Sequence, residues 1–109
     1  MLRSAVLPFA LFLGLTAALA AEDLPYTCRA EIANLNANLD ETLERLEGAW
    51  KSEDDAEKCA AIRHHIEVMR GAAEGFGRCT TGHARGENVG QALGTVADFE
   101  DIAAELGCP

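Results

Sequence analysis

With 109 residues and a formal net charge of −9, the chain is small and strongly acidic. A surface with this excess of negative charge repels nucleic acids and anionic membranes, so we exclude both as partners of the folded protein. The length is that of one domain with a single hydrophobic core. Four cysteines in so short a chain predict two disulfides in an oxidising compartment.

Residues 1–20 have the layout of a secretory signal peptide. Arg3 supplies a positive amino-terminal region, Ala5 to Leu19 is an uncharged and mostly apolar run, and the tripeptide ending at Ala20 has the small-x-small pattern of a cleavage site. The run is short for a membrane span, which needs about 20 apolar residues. The sequence therefore predicts a cleaved signal peptide, a single mature domain of residues 21–109, and a periplasmic or secreted protein.

A first helix is predicted from about residue 27 to residue 50, with Thr27 as its N-cap. Its apolar residues recur at steps of three and four, which places them on one helical face. They are Cys28, Ile32, Leu35, Leu39, Leu43, Leu46 and Trp50. We expect this face to pack in the core. In the turn that follows, Ser52 and Asp55 resemble a capping box for the next helix.

A second helix is predicted over residues 53–76, and its apolar stripe has the same spacing. The stripe consists of Cys59, Ile62, Ile66, Met69, Ala73 and Phe76. Gly77 is expected to end the helix, because glycine is favoured just past a helix C-terminus. The stretch from Arg78 to Glu87 is then a long loop, which could carry a function.

A third helix is predicted over residues 88–106, where Asn88 and Gln91 resemble a capping box. Its apolar positions are Val89, Leu93, Val96, Phe99, Ile102, Ala103 and Leu106. Gly90 and Gly94 lie on one face and predict a close crossing with another helix, and Gly107 is expected to end the helix. The predicted fold is all-α, a small antiparallel three-helix bundle.

The disulfide pairing follows from this topology. Short connections make consecutive helices antiparallel, which places Cys28 and Cys79 at one end of the bundle and Cys59 and Cys108 at the other. Helices of this length separate the two ends by about 30 Å. Because a disulfide needs Cα atoms within about 7 Å, only the pairs Cys28–Cys79 and Cys59–Cys108 satisfy the geometry.

No residue pattern indicates catalysis. The cysteines are separated by 19 residues or more, so the chain lacks the Cys-x-x-Cys motif of thiol catalysis, and we interpret all four as structural. Ser52 is the one serine of the mature domain and is assigned to a helix cap. We therefore predict that the protein is not an enzyme and assign no catalytic or cofactor-binding residue.

The histidines offer a weak case for a metal site. His64 and His65 are adjacent and point about 100° apart on a helix, so they do not readily share one ion. His64 is expected to be exposed. His65 and Met69, one turn apart, could bind a soft copper ion, but a surface histidine beside a core methionine is the simpler interpretation. No metal ligand is assigned.

Charge is distributed unevenly between the two ends. Twelve acids fall in the half that contains Cys59 and Cys108, which we call the acidic end, and only Arg45, Lys51 and Lys58 oppose them there. These acids are Asp40, Glu41, Glu44, Glu47, Glu53, Asp54, Asp55, Glu57, Asp98, Glu100, Asp101 and Glu105. Helix-dipole placement and solubility account for part of this excess.

The opposite end is predicted to be more basic. It could assemble an anion site from several cations, although pairing with Glu31, Glu74 and Glu87 is the simpler interpretation. The cations are Arg29, Arg70, Arg78, His83 and Arg85.

The sequence thus predicts a small non-catalytic binding or protein-interaction module. Its contact surface would be the acidic end or the Cys79–Glu87 loop. The alternative is a cation-binding protein that uses the acidic end, since hard cations such as Ca²⁺ take six to eight oxygen ligands. The expected partner is accordingly a protein or a cation.

Overall fold

Three helices form the whole architecture of residues 26–109, the range that the computed structural model describes. They are α1 (Tyr26–Lys51), α2 (Asp55–Cys79) and α3 (Gly82–Glu105), and this range contains no strand. The predicted all-α fold is therefore confirmed. The predicted signal peptide lies outside the described residues.

The helix α2 is the centre of the bundle. It packs against α1 and against α3, whereas no Cα atom of α1 comes within 8 Å of a Cα atom of α3 in the described range. All six residues of the predicted α2 stripe are buried. The same helix has a second buried set, which consists of Ala61, His65, Ala72, Gly75 and Cys79. With half-buried Val68 included, these residues also recur at steps of three and four. Because α2 has a neighbour on two sides, two of its faces are buried.

The predicted disulfides are both present. Cys28 pairs with Cys79 across a Cα–Cα distance of 5.4 Å, and Cys59 pairs with Cys108 across 5.6 Å. One bridge ties the start of α1 to the end of α2, and the other ties the start of α2 to the chain that follows α3. Each outer helix is thereby linked covalently to the central one.

The cap of α2 differs from the predicted one. Asp54 is the N-cap residue, and its carboxylate accepts a hydrogen bond from the backbone N–H of Ala56 at 3.0 Å. The hydroxyl of Ser52 accepts instead from the backbone N–H of Asp54, also at 3.0 Å. The predicted capping box of Ser52 and Asp55 is wrong, because the helix begins two residues later than expected and the extended backbone of Asp54 places its own side chain over the first turn.

The connection between α2 and α3 is short, and the predicted loop from Arg78 to Glu87 is wrong. Helix α2 continues through Gly77 to Cys79, and only Thr80 and Thr81 separate it from α3. Phe76 and Cys79 are both buried, so packing of the last turn outweighs the weak helix propensity of Gly77.

Helix α3 begins at Gly82, which has a positive φ of 61°. Asn88 therefore lies inside the helix, where its side-chain amide donates to the carbonyl of Ala84 at 2.7 Å. The predicted capping box of Asn88 and Gln91 is wrong for this reason. Glycines and a histidine in the first turns of α3 give this segment low intrinsic helix propensity, which hid it from the sequence analysis.

The packed face of α3 also differs from the predicted stripe. Its buried residues are Asn88, Ala92, Val96 and Phe99, while Leu93 is 50% exposed. A Cβ atom added at Gly90 or Gly94 would have no neighbouring atom within 4 Å, so the predicted close crossing at these glycines is wrong. The buried face of α3 contains Asn88 and Ala92. Leu93 and both glycines lie on a different face of the helix, which is turned away from α2.

The end of α3 follows the expected glycine rule. Gly107 has a φ of 70°, the backbone N–H of Cys108 donates to the carbonyl of Ala103 at 2.9 Å, and that of Gly107 donates to the carbonyl of Ala104 at 3.1 Å. This hydrogen-bond pattern is a Schellman motif, which reverses the chain after a helix. The reversal brings Cys108 back onto Cys59 of α2.

Candidate functional site

The acidic end is formed by the ends of α1 and α3 and by the start of α2. All twelve of its acids are exposed to solvent. Arg63 lies in the third turn of α2 and so joins Arg45, Lys51 and Lys58 as a fourth basic residue in this half. The Cys59–Cys108 bridge joins the start of α2 to the chain that follows α3, and the short turn after Lys51 connects α1 to α2.

Two acids on the flank of this end have a basic side chain as a close neighbour. Glu100 lies 3.0 Å from Arg70, and both side chains are more than half exposed. Arg70 therefore faces α3 near the middle of the bundle and does not join the basic residues of the opposite end. Glu41 lies 3.6 Å from His64, whose side chain is 31% exposed. Such surface pairs contribute about 0–1 kcal/mol each, so they leave the charge of this end largely available to a partner.

His65 is a core residue, and its interpretation as a surface histidine is wrong. It is 1% exposed; its Nδ1 is hydrogen-bonded to the hydroxyl of Thr42 on α1 at 3.2 Å, and its ring meets that of Phe99 on α3 edge-on at 4.6 Å. Burial, and to a smaller extent the charge of His64, lowers the pKa of His65 from 6.5 to about 4. A neutral imidazole therefore joins all three helices at physiological pH.

At the opposite end, two basic side chains each pair with one acidic residue. The guanidinium of Arg78 forms an ion pair with the carboxylate of Glu31, and His83 lies 2.9 Å from Glu87 one turn away on α3. These two pairs match the simpler of the two predicted interpretations. His83 and Glu87 belong to the first turns of α3 and not to a loop.

A carboxylate lies beside the Cys28–Cys79 disulfide at this opposite end. One carboxylate oxygen of Glu31 and the two sulfurs of the bridge lie within 4.8 Å of one another, but the sulfurs are bonded to each other and offer no thiolate to a metal ion. In the described range, the acids of the acidic end form no comparable group. Sequence analysis did not predict this position of Glu31 beside the disulfide. The signal was present, since Glu31 follows Cys28 by three residues and therefore lies on the same helical face.

Comparisons of the chain with protein-family models, with curated proteins and with solved structures found no significant match. Within residues 26–109, no helix combines the length and hydrophobicity that a membrane span requires. Function is therefore inferred from the geometry of the two ends.

Proposed function

We propose that this protein is a small non-catalytic interaction module of the periplasm or extracellular space, and that its acidic end binds a basic partner protein. The observation that carries this proposal is the concentration of twelve exposed acids against four basic residues in one half of the bundle. A surface of one charge sign attracts partners of the opposite sign and raises the rate at which they associate.

The construction of the acidic end supports a role in binding. The Cys59–Cys108 bridge joins two of its chain segments, and the α1–α2 turn is held by hydrogen bonds of Ser52 and Asp54. A surface that is already ordered loses little conformational entropy when it binds a partner. The backbone positions that carry the acids are therefore ordered before binding, while the acidic side chains are exposed to solvent.

The polar groups of the core support a non-catalytic role. The hydroxyl of Thr42 is bonded to His65, the hydroxyl of Thr80 donates to the carbonyl of Phe76, and the amide of Asn88 donates to a carbonyl one turn earlier. These buried side chains hold helices and helix ends in place, as buried polar groups generally must.

The proposed compartment rests on the amino-terminal segment and on the disulfides. Residues 1–20 have the layout of a signal peptide, and both disulfides need an oxidising compartment to persist. We infer that the folded domain operates outside the cytoplasm.

A pair of matched triple variants tests the acidic end. One carries Glu44→Gln, Glu47→Gln and Glu105→Gln in the acidic end, and the control carries Glu67→Gln, Glu74→Gln and Glu87→Gln outside it. Both change the net charge equally, and all six residues are exposed. Immobilised wild-type and variant proteins are incubated with periplasmic extract, and bound proteins are quantified by mass spectrometry at two salt concentrations.

We expect the first triple variant to lose at least one basic protein that the wild type and the control both retain, and this protein to be released by moderate salt. Equal retention of every bound protein by the two triple variants would contradict the proposal.

The alternative of a cation site at the acidic end has less support, because no three acids of that end converge in the described range. It predicts a saturable, stoichiometric rise in Tm with one divalent cation at constant ionic strength. A weak rise that is the same for all divalent cations, and that excess salt abolishes, would count against it.

A further inference from the structure

Trp50, the one tryptophan of the chain, lies at the acidic end. It is the last residue but one of α1, and its half-buried side chain packs against the core. The amino group of Lys58, in the first turn of α2, lies over the ring of Trp50, 5.9 Å from its centroid. A cation within about 6 Å of the face of an indole ring is attracted to it. The protein therefore already holds a cation against Trp50.

Lys58 contacts the ring although it is surrounded by acids along the chain. Glu53, Asp54 and Glu57 all lie within five residues of it. Among the residues that the structure describes, Lys58 nevertheless takes part in none of the ion pairs. A cation–π contact at a partly exposed position is no stronger than a surface ion pair or two, so a cation from another molecule can take its place.

We propose that the ring of Trp50 is the anchor point of the acidic end, where an arginine side chain of the basic partner protein stacks on the ring and displaces Lys58. This inference rests on the proposed function and names the residue at its centre. Arginine is the cation that fits best, because its planar and weakly hydrated guanidinium stacks on aromatic faces. Tryptophan is also enriched among the residues that carry most of the binding energy of protein interfaces. Packing against the core orders the ring before binding, so little conformational entropy is lost.

The charges around Trp50 complement a cationic partner. Glu47 precedes Trp50 by one turn on α1, Glu53 and Asp54 follow it in the turn to α2, and all three are exposed. These acids attract any basic protein over a distance, whereas the ring distinguishes arginine from lysine by stacking. The two contributions can therefore be separated by experiment.

The test compares two peptides of equal charge, acetyl-hexaarginine amide and acetyl-hexalysine amide. Their affinities for the mature chain are measured by isothermal titration calorimetry at one salt concentration. We expect hexaarginine to bind at least about threefold more tightly than hexalysine, and its binding to change the fluorescence emission of Trp50. The variant Trp50→Leu, which keeps an apolar side chain against the core, should bind the two peptides with equal affinity.

Two lysine variants separate the ring contact from charge alone. Lys58→Gln and Lys51→Gln both remove one positive charge from the acidic end, but only Lys58 lies over the ring. Electrostatic attraction alone predicts the same gain in affinity for hexaarginine from both variants. We expect the gain from Lys58→Gln to exceed that from Lys51→Gln by at least about threefold, because the face of Trp50 is then unoccupied.

Equal gains from the two lysine variants, equal affinities of the wild type for the two peptides, or a preference for hexaarginine that survives Trp50→Leu would each overturn the proposal. The lysine comparison decides the matter by itself if Trp50→Leu does not fold. The triple variant of the acidic end separates this inference from the proposed function. Undiminished binding of both peptides by that variant would contradict the proposed function alone, whereas reduced binding without a preference for arginine in the wild type would exclude only the role of Trp50.

Discussion

At the scale of single residues, His65 shows how a polar side chain can organise a small core. Its ring contacts a hydroxyl on α1 and an aromatic ring on α3, although it belongs to α2. No Cα atoms of α1 and α3 approach within 8 Å in the described range, so this side chain connects two helices whose backbones remain apart. Its position could not be read from the apolar stripe, because histidine is neither consistently buried nor consistently exposed in proteins.

We predict that the stability of the protein falls as the pH drops from about 6.5 to about 4. The unfolded chain takes up a proton on His65 near its ordinary pKa of 6.5, whereas the folded protein resists protonation until about 4 because the ring is buried. The unfolded state thus binds more protons than the folded state between pH 6.5 and pH 4. The free energy of unfolding therefore falls through this range, by about 3 kcal/mol once pH 4 is reached. Urea unfolding at a series of pH values measures it.

The variant His65→Phe separates this effect from general acid denaturation. It should flatten the pH dependence between pH 6.5 and 4, because it removes the buried group that titrates there. An unchanged pH dependence in His65→Phe would show that other groups are responsible.

Gly75 and Gly71 make a matched pair of glycines on α2. A Cβ atom at Gly75 would lie 2.6 Å from Cδ1 of Leu35, so Gly75→Ala forces a buried leucine to move. We predict a loss of about 1 kcal/mol, because overpacking exceeds the gain in helix propensity. Gly71 has open space around it, and Gly71→Ala should stabilise the protein by about 0.5–1 kcal/mol. Thermal unfolding of both variants tests this, and stabilisation by Gly75→Ala would contradict the packing argument.

At the scale of helices, periodicity identified the packed faces of α1 and α2 but misplaced helix ends. A stripe of strongly apolar residues is visible in sequence, so Ile62, Met69 and Phe76 were placed correctly. The second face of α2 is built from small or polar residues such as Ala72 and Gly75, whose burial depends on having a second neighbour. The spacing of apolar residues alone does not reveal this second face of α2.

The helix ends were misjudged because local signals compete with packing. Gly77 was expected to end α2 because glycine is favoured just past a helix, yet the burial of Cys79 and its disulfide keep the chain helical through Gly77. Gly107 has the same character and does end its helix, because there the chain turns with a positive φ. Sequence alone does not say which glycine adopts that conformation.

The hydrogen bonds of Asp54 and Ser52 at the start of α2 give a test at this scale. Asp54→Ala should cost about 1 kcal/mol, since it removes the acceptor for the Ala56 N–H in the first turn. Ser52→Ala removes only a turn hydrogen bond and should cost less. Chemical denaturation of the two variants compares them, and a larger loss from Ser52→Ala would restore the capping box expected from sequence.

At the scale of the whole molecule, the disulfide pairing was predictable because it depends on helix order and length and not on exact boundaries. Errors of a few residues at helix ends leave each cysteine at the same end of the bundle. The position of Glu31 beside the Cys28–Cys79 bridge could not be predicted in the same way, because it depends on side-chain positions within a few ångströms.

Both bridges should contribute similarly to stability. Their sequence separations are 51 and 49 residues, and closing loops of this length stabilises a protein by about 4 kcal/mol each in the chain-entropy account. We therefore expect C28A/C79A and C59A/C108A to lower the free energy of unfolding by comparable amounts, measured by urea unfolding of the oxidised proteins. A loss below about 1 kcal/mol for either variant would show that strain or residual structure offsets the crosslink.

The order of the paired cysteines along the chain determines whether the protein stays in one piece when a protease cuts it. The first bridge begins before the second and closes inside it, so every peptide bond from residue 28 to residue 108 is enclosed by at least one of the two. A single cut anywhere in that interval, including the short link at residues 80–81, leaves the fragments joined. Two cuts also leave one covalent molecule when Cys59 or Cys79 lies between them along the chain.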